Sequence, residues 1–370
     1  MRGNPLKNER HSNGCSRRSF FGCAGGALTA SALSWSFAGE MSPPNSTATQ
    51  PGRAPEAGQS PLIWGNLLHL SYNMWRDRLV EQNTPVLKAT TYQPYLRCDD
   101  KLWEELTKRM ADVGMNMVVI DMGDGVQYQS HPEIAVQNAW SVERLRKELA
   151  RLRKLGLEPI PKLNFSATHD AWLGDYSRQV STPPYYKVGE DLIAEVVRLF
   201  DKPRFFHLGY DEETAGYQSE FAYTVVRQHE LWWHDFEFFV KQVEQHGVRP
   251  WIWSDYVWRH GEEFLKQMPK SVLQSNWYYG ETFPDAKGYV RWYDELDQHG
   301  YDQVPTGSNW SSPKNFGLLV EYCQKAIAPS RLKGFLQTPW LPTLEEFRQK
   351  HFEAIDQVAV AMAACAKETK

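Results

Sequence analysis

The chain has 370 residues and a formal net charge of −4, with acidic and basic residues interspersed along its length. This balance, without a basic run beyond the N-terminal region, argues against nucleic acid or an anionic membrane surface as a partner. The part of the chain after residue 60 is too long for a small domain and suits one large domain with a substantial core. The oligomeric state stays open at this stage.

Residues 1–38 have the organisation of an export signal. Arg17 and Arg18 stand just before a weakly apolar stretch, and residues 36–38 read Ser-Phe-Ala, a small-x-small site for a signal peptidase. The stretch is too short and too rich in Gly, Ala and Ser to span a bilayer, which takes roughly 20 strongly apolar residues. We therefore predict a twin-arginine signal peptide and a mature protein that begins near Gly39 and is periplasmic or secreted.

Residues 39–60 consist mainly of Pro, Ser, Thr, Gly and Gln. Such a segment cannot bury enough apolar surface to offset the entropy of ordering, so we predict a disordered linker. Residues 61–370 are then the folded domain. Its three cysteines, Cys98, Cys323 and Cys365, are odd in number and widely spaced, which argues against a disulfide framework. No CxxC or HExxH spacing occurs, and we predict neither a metal nor a cofactor.

From residue 61 onward, short apolar runs alternate with longer amphipathic ones, a pattern typical of βα units around a parallel sheet. The apolar runs predict eight strands at 62–70, 115–121, 157–164, 204–209, 249–254, 271–276, 302–308 and 333–338. Helical periodicity is clear between them, notably at 100–113, 142–155, 191–200, 236–246 and 262–268. Eight strands with intervening helices predict an α/β fold of the (β/α)8 TIM barrel type. A doubly wound open sheet is the alternative, but the glycine-rich phosphate loop expected after its first strand is missing from the sequence.

In a TIM barrel, the side chains just past the carboxyl ends of the strands meet on one face, where active sites form. Acids, histidines and tryptophans occupy these positions in the present sequence: Asp121, Asp124, His169, His207, Asp211, Glu212, Trp253, Asp255, Trp277, Trp310 and Trp340. The apolar faces of sugar rings pack on indole rings, whereas sugar hydroxyls and leaving oxygens need carboxylates. Four tryptophans at equivalent strand ends, beside the acids, therefore predict a carbohydrate pocket rather than plain core filling.

Asp211 and Glu212 are adjacent, which is unusual for a glycosidase pair. In an extended chain, neighbouring side chains point to opposite sides, so the two acids can have different tasks. Most glycosidases take their two carboxylates from different strands. A neighbouring pair suits a substrate that supplies its own nucleophile, as the acetamido group of an N-acetylhexosamine can. The alternative is an acidic loop or helix N-terminus without a catalytic role.

The motif His207-x-Gly209-x-Asp211-Glu212 resembles the strand-four motif of glycoside hydrolase family 20, the β-N-acetylhexosaminidases. A looser similarity runs from about Asp99 to Trp340. The resemblance implies a retaining, substrate-assisted hydrolase acting on a glycan that contains N-acetylhexosamine. In it, Glu212 would be the acid/base and Asp211 would orient the acetamido nitrogen. Substrate contacts would come from His169, Trp253, Trp277 and Trp340, which match family positions, together with Asp121, His207, Asp255 and Trp310.

The sequence also departs from the family pattern. Tyr210 stands where the family usually has a second glycine, and strand one lacks the expected arginine, for which Arg76 or Arg97 could substitute. Strand seven ends in Asn309-Trp310 without the family's Tyr-x-Asp, and no glutamate follows Trp340 by two residues. Because the missing groups normally grip the hydroxyls of the terminal sugar, the identity of the sugar stays open.

Two other functions are compatible with the sequence. One is a carbohydrate-binding barrel that has lost catalysis. The other is a metal-dependent hydrolase with His207, Asp211 and either Glu212 or Asp255 as ligands.

Overall fold

The computed structural model describes residues 61–80, 85–219, 221–283 and 288–368. The predicted signal peptide and linker lie outside the described residues. Within them, the strands are β1 (Ile63–His69), β2 (Met117–Asp121), β3 (Glu158–Lys162), β4 (Phe205–His207), β5 (Arg249–Trp253), β6 (Leu273–Ser275), β7 (Thr306–Gly307) and β8 (Gly334–Gln337). The helices are α1 (Pro85–Thr90), α2 (Asp100–Asp112), α3 (Val142–Lys154), α4 (Pro183–Leu199), α5 (His229–Glu244), α6 (Gly261–Gln267), α7 (Arg291–Gln298), α8 (Asn315–Ala326) and α9 (Arg348–Glu368).

All eight predicted strands are present, and they form one parallel sheet in the order β6-β5-β4-β3-β2-β1-β8-β7. Parallel bridges at Gln274–Gln303 and Trp277–Thr306 join β6 to the chain at β7 and close the ring. The prediction of a (β/α)8 TIM barrel is confirmed.

The strands separate two cores, because successive side chains point alternately into the barrel and out towards the helices. The interior core is small and consists of Ile63, Leu67, Met117, Val119, Ile160, Phe205, Trp251, Trp253, Leu273, Val304 and Leu336. A larger core lies between the strands and the surrounding helices. The interior is therefore packed with side chains, and a ligand can enter only at the ends of the barrel.

Two prolines inside β3 limit its pairing with β4. Glu158 donates its N–H towards β2, whereas Leu163, at an odd-numbered position, donates its N–H to the His207 carbonyl in β4 (3.0 Å). Pro159 and Pro161 share that odd register and have no N–H to offer β4. The pairing of β3 with β4 is accordingly limited to Lys162 with His207. Past this pair, the chain after β4 stays hydrogen-bonded on both sides: the Phe165 N–H donates to the Leu208 carbonyl (2.9 Å), and the Leu208 N–H donates to the Trp251 carbonyl (2.8 Å).

Two helices begin earlier than their periodicity predicts. Helix α4 starts at Pro183 rather than at residue 191, because proline is well tolerated in the first helical turn, where the N–H would be unpaired. Helix α5 starts at His229 rather than at residue 236, and its added turns bury Trp232 and Trp233. No helix among the described residues is both long enough and apolar enough to cross a membrane.

Candidate active site

A cavity of about 510 Å³ opens at the carboxyl ends of the strands, and we refer to it as the acidic cavity. Its volume lies within the usual range for small-molecule sites, roughly 300–1,000 Å³. Its walls are mainly aromatic, and its lining residues are Tyr72, Trp75, Arg76, Thr90, Asp211, Glu212, Tyr217, Trp277, Tyr279, Trp310 and Trp340. Asp211 and Glu212 are its acids among the described residues.

The chain leaves β4 through a run of left-handed backbone. Gly209 has φ 75°, Tyr210 has φ 74° and Glu212 has φ 56°. A Cβ on Gly209 would lie 1.9 Å from Oδ1 of Asn164, so this position excludes any side chain. Tyr210 adopts a conformation that glycine adopts without strain, at the position where the family 20 pattern has a glycine. Its buried ring packs outward, against Trp232 of α5.

This backbone overturns one premise drawn from the sequence. An extended chain would send the side chains of Asp211 and Glu212 to opposite sides. Instead, Nε2 of His169 lies 3.4 Å from Oδ2 of Asp211 and 3.3 Å from Oε2 of Glu212. The left-handed residues turn both carboxylates towards one imidazole.

Asp211 is buried and held in one orientation. The side-chain amide of Asn164 donates to its Oδ1 at 2.8 Å. Burial, together with the neighbouring charge of Glu212, raises the pKa of Asp211, although the His169 imidazole opposes this shift. A carboxylate held this way can align a polar group of a ligand without moving itself.

His169 comes from the loop after β3, seven positions past the last strand residue. That loop grips the end of β4: Oγ of Ser166 donates to the Asp211 carbonyl at 2.5 Å, and Oγ1 of Thr168 donates to the Glu212 carbonyl at 2.9 Å. Burial lowers the pKa of the imidazole, but Asp211 and Glu212 outweigh burial and raise it. We call His169, Asp211 and Glu212 the triad, because the two acids interact electrostatically with the same imidazole.

Asp255 stands behind the acidic pair. Its Oδ2 accepts the backbone N–H of Glu212 at 2.8 Å, and its Oδ1 accepts the indole N–H of Trp277 at 3.2 Å. Burial and the nearby charges of Asp211 and Glu212 raise the pKa of Asp255 to about 8. Asp255 thus fixes the backbone of one acid and one indole wall.

Three of the four predicted tryptophans line the acidic cavity: Trp277, Trp310 and Trp340. The Trp340 indole donates to the hydroxyl of Tyr279 at 2.9 Å, while Trp310 stands at the mouth, 49% exposed. Trp253 does not line the cavity. It lies in the interior core, 1% exposed, and packs beneath Trp340 at a ring distance of 5.8 Å.

Asp121 and His207 also lie outside the cavity lining. With His69 and Lys162 they form an inward-facing polar layer at the top of the interior core, which is buried beneath the acids. Nζ of Lys162 donates to Oδ2 of Asp121 at 2.5 Å, and Nδ1 of His69 lies 3.3 Å from the same oxygen. Burial opposes ionisation of Asp121, but the Lys162 ammonium and His69 lower its pKa to about 2. Nδ1 of His207 accepts the N–H of Gly209 at 3.0 Å and so supports the turn after β4.

Five cavity residues did not emerge as site residues from the strand-end pattern. Of the two candidate arginines, Arg76 lines the cavity and donates to Thr90, whereas Arg97 is buried away from it and donates to the Ala89 carbonyl. Tyr279 follows Trp277 by two residues, so in an extended segment its side chain would be expected on the same side as that of Trp277. The other four are Thr90, the last residue of α1, and three loop residues whose direction no sequence period predicts: Tyr72, Trp75 and Tyr217.

Two groups among the described residues have metal-ligand chemistry. The triad of His169, Asp211 and Glu212 brings its ligand atoms within 4.8 Å of one another, as does a second cluster of His229, His260 and Glu263. The ligand set proposed from the sequence is different, because His207 belongs to the polar layer rather than to the triad. The triad can therefore act on a ligand by hydrogen bonding and proton transfer, or hold a cation.

No protein-family model and no curated protein matches this sequence. The fold, however, matches solved structures. The family 20 exo-β-N-acetylglucosaminidase of Vibrio harveyi, in complex with N-acetylglucosamine, aligns with 81% of this chain and 54% of its own, at TM-score 0.56 and 14% identity. The family 20 β-N-acetylhexosaminidase of Streptomyces coelicolor aligns with 80% of this chain and 64% of its own, at TM-score 0.56 and 12% identity.

The β-N-acetylhexosaminidase of Bacteroides fragilis gives similar figures, with 80% of this chain, 65% of its own, TM-score 0.54 and 11% identity. This chain thus spans about half to two thirds of the length of these proteins. The predicted resemblance to family 20 is confirmed at the level of the fold.

Proposed function

We propose that the protein is a retaining glycoside hydrolase that removes terminal N-acetylhexosamine residues with the help of the substrate's own acetamido group. The observation that carries this proposal is the convergence of Asp211 and Glu212 on one aromatic-walled cavity and on one imidazole. The fold likeness to enzymes named β-N-acetylhexosaminidases supports it.

Glu212 is the proposed acid/base. Its side chain is 14% exposed at the edge of the cavity, so the carboxyl group can reach a glycosidic oxygen. In the first step it gives its proton to that oxygen as the C1–O bond breaks and the acetamido oxygen bonds to C1. In the second step it takes a proton from the water that adds to C1, while the bond between C1 and the acetamido oxygen breaks and restores the acetamido group. General acid–base catalysis of this kind contributes about 10²–10⁴-fold.

Asp211 is the proposed partner of the acetamido nitrogen. The nitrogen becomes positively charged as the acetamido oxygen attacks C1, and a carboxylate fixed by Asn164 stabilises that charge without reorganising. The His169 imidazole lies 3.3–3.4 Å from both acids, and its positive charge, when it is protonated, offsets the repulsion between the two carboxylates. This division of labour explains how neighbouring residues can replace the two facing carboxylates of an ordinary retaining enzyme, which stand about 5 Å apart.

We also propose that the barrel acts outside the cytoplasm, after export through the twin-arginine route. The support is the sequence Ser16-Arg17-Arg18-Ser19-Phe20-Phe21 followed by a weakly apolar stretch.

The first experiment is a hydrolysis screen with aryl N-acetylglucosaminides, aryl N-acetylgalactosaminides and the matching plain hexosides. We expect turnover of an N-acetyl substrate and strong inhibition by a thiazoline analogue of the cyclised intermediate, because such an analogue resembles the charged state. Rapid turnover of plain hexosides, or a trapped covalent glycosyl-enzyme, would contradict the mechanism. Sugar binding without turnover would instead select the binding-only barrel, and activity abolished by a chelator and restored by a metal would select the metal-dependent hydrolase.

Glu212→Gln tests the role of the acid. An unactivated disaccharide needs protonation of its leaving oxygen, whereas a nitrophenyl group departs without much help. We therefore expect a loss of about 10²–10⁴-fold for the disaccharide and a clearly smaller loss for the nitrophenyl glycoside. Glu237→Gln, an exposed position on α5, is the matched control and should leave both rates unchanged. Equal losses on both substrates would remove Glu212 from this role.

A further inference from the structure

A second cavity of about 420 Å³ lies on the other side of Glu212. Glu212 and Tyr217 line both cavities, and Asp255 lines the second from below. A proton donor at the boundary of two cavities stands where a bond between two sugar rings would cross from one to the other. The second cavity is therefore placed to hold the leaving group.

The second cavity has an aromatic platform of its own. Trp258 and Tyr289 are stacked, with ring centroids 3.9 Å apart and an interplanar angle of 24°. Trp258 also meets the edge of Trp277 at 4.4 Å, so the platform continues the wall of the acidic cavity. Tyr217 and Tyr289 are 52% and 49% exposed. Exposed aromatic rings beside a cavity suit the apolar face of a sugar ring.

The two arginines that line the second cavity differ in whether they are paired with acids. Arg227 is fully buried and paired with Glu213 (2.7 Å) and Asp235 (2.9 Å), so these three groups offer no free charge to a ligand. Arg259, by contrast, is exposed at the cavity and forms no ion pair with any described residue. Its guanidinium group is always charged and matches the geometry of a carboxylate.

We propose that the second cavity binds an acidic leaving-group sugar, with Arg259 holding its carboxylate, so that the preferred substrate is an N-acetylhexosamine β-linked to a hexuronic acid. This inference rests on the proposed function of the acidic cavity. It adds a specificity-determining residue, since Arg259 touches the leaving group and not the bond that breaks.

The test compares two disaccharides that differ only in charge: N-acetylglucosaminyl-β-1,4-glucuronic acid and N-acetylglucosaminyl-β-1,4-glucose. We expect wild-type kcat/KM to be up to about fivefold higher for the acidic substrate, the size of an exposed ion pair. Arg259→Gln should bring the ratio of the two values close to one, and Arg259→Lys should restore part of it. Arg146→Gln, exposed on α3 and outside both cavities, should keep the wild-type ratio. Higher ionic strength should lower the ratio in the wild type through screening.

A wild-type ratio near one, or a ratio that Arg259→Gln leaves unchanged, would overturn the inference even while aryl N-acetylglucosaminides are hydrolysed. If no N-acetylhexosaminide is hydrolysed, the proposed function fails separately. Calorimetric titration of the wild type with the same two disaccharides then decides the inference by binding alone. Equal affinities would overturn it, and a preference for the acidic disaccharide that Arg259→Gln abolishes would support it.

Discussion

Gly209→Ala should disable the site through a single clash. The new Cβ would lie 1.9 Å from Oδ1 and 2.2 Å from Cγ of Asn164, whereas ordinary contacts begin near 3.4 Å. The Asn164 side chain must therefore retreat by about 1.5 Å, the difference between those distances. That shift breaks its bonds to Asp211 (2.8 Å), Ser166 (3.0 Å) and Tyr210 (3.2 Å).

The expected cost has two parts. A side chain at φ 75° costs about 1–2 kcal/mol, and three lost hydrogen bonds cost roughly 1 kcal/mol each. The free energy of unfolding should therefore fall by about 4–5 kcal/mol. Activity should fall about 10²-fold, because a catalytic group misplaced by about 1 Å loses that much.

Gly156→Ala is the matched control. Gly156 has φ 80° just after α3, and a Cβ there would meet no atom within 4 Å. This variant should lose only the 1–2 kcal/mol of the left-handed conformation and keep full activity. Urea unfolding and kcat/KM on an aryl N-acetylglucosaminide measure both variants.

Asn164→Ala keeps the test decisive if Gly209→Ala folds poorly. It removes the same bonds without a clash, so it should lower kcat/KM similarly, and adding Gly209→Ala to it should cost little more activity. The reasoning is wrong if Gly209→Ala is as active and as stable as Gly156→Ala, or if Asn164→Ala is fully active.

Two further outcomes are expected elsewhere in the chain. Burial raises the pKa of Asp170 to about 8, so between its unfolded value near 3.8 and pH 8 the folded state binds more protons. Rising pH then lowers stability by about 1.4 kcal/mol per pH unit. Asp170→Asn should therefore gain stability over the wild type from pH 5 to pH 8 in urea unfolding, and an equal difference at both pH values would contradict the pKa shift. Changing Arg17 and Arg18 to Lys should keep the protein in the cytoplasm, because the translocon recognises the paired guanidinium groups. Cell fractionation measures this, and normal export of the variant would exclude the twin-arginine route.

The fold could be predicted from the sequence because its signal is local. Each strand is a short apolar run, and each helix shows its period within about two turns, so the barrel follows from the alternation of the two. The same alternation located the strand ends, and with them Asp211, Glu212, Trp277, Trp310 and Trp340 at the cavity. These predictions require only the pattern of residue types over a short stretch of sequence.

The direction of side chains after the strands could not be predicted, because it depends on backbone angles that tertiary packing imposes. Tyr210 and Glu212 have positive φ in a segment that contacts α5 through Tyr210 and the loop after β3 through the Glu212 carbonyl, and this backbone turns both acids to His169. The sequence also did not show how deeply each strand-end side chain is buried. Asp121 stands at a strand end as Asp211 does near its own, yet parity and the Lys162 ammonium place it in the buried polar layer.

The sequence by itself thus determined which strands carry acids and indoles to one end of the barrel. Only the tertiary structure decided which of them share a cavity, that Arg76 rather than Arg97 reaches it, and that Glu212 borders a second one. The physical reason is that periodicity records burial of each residue, whereas a site is defined by distances between loops that no local pattern encodes.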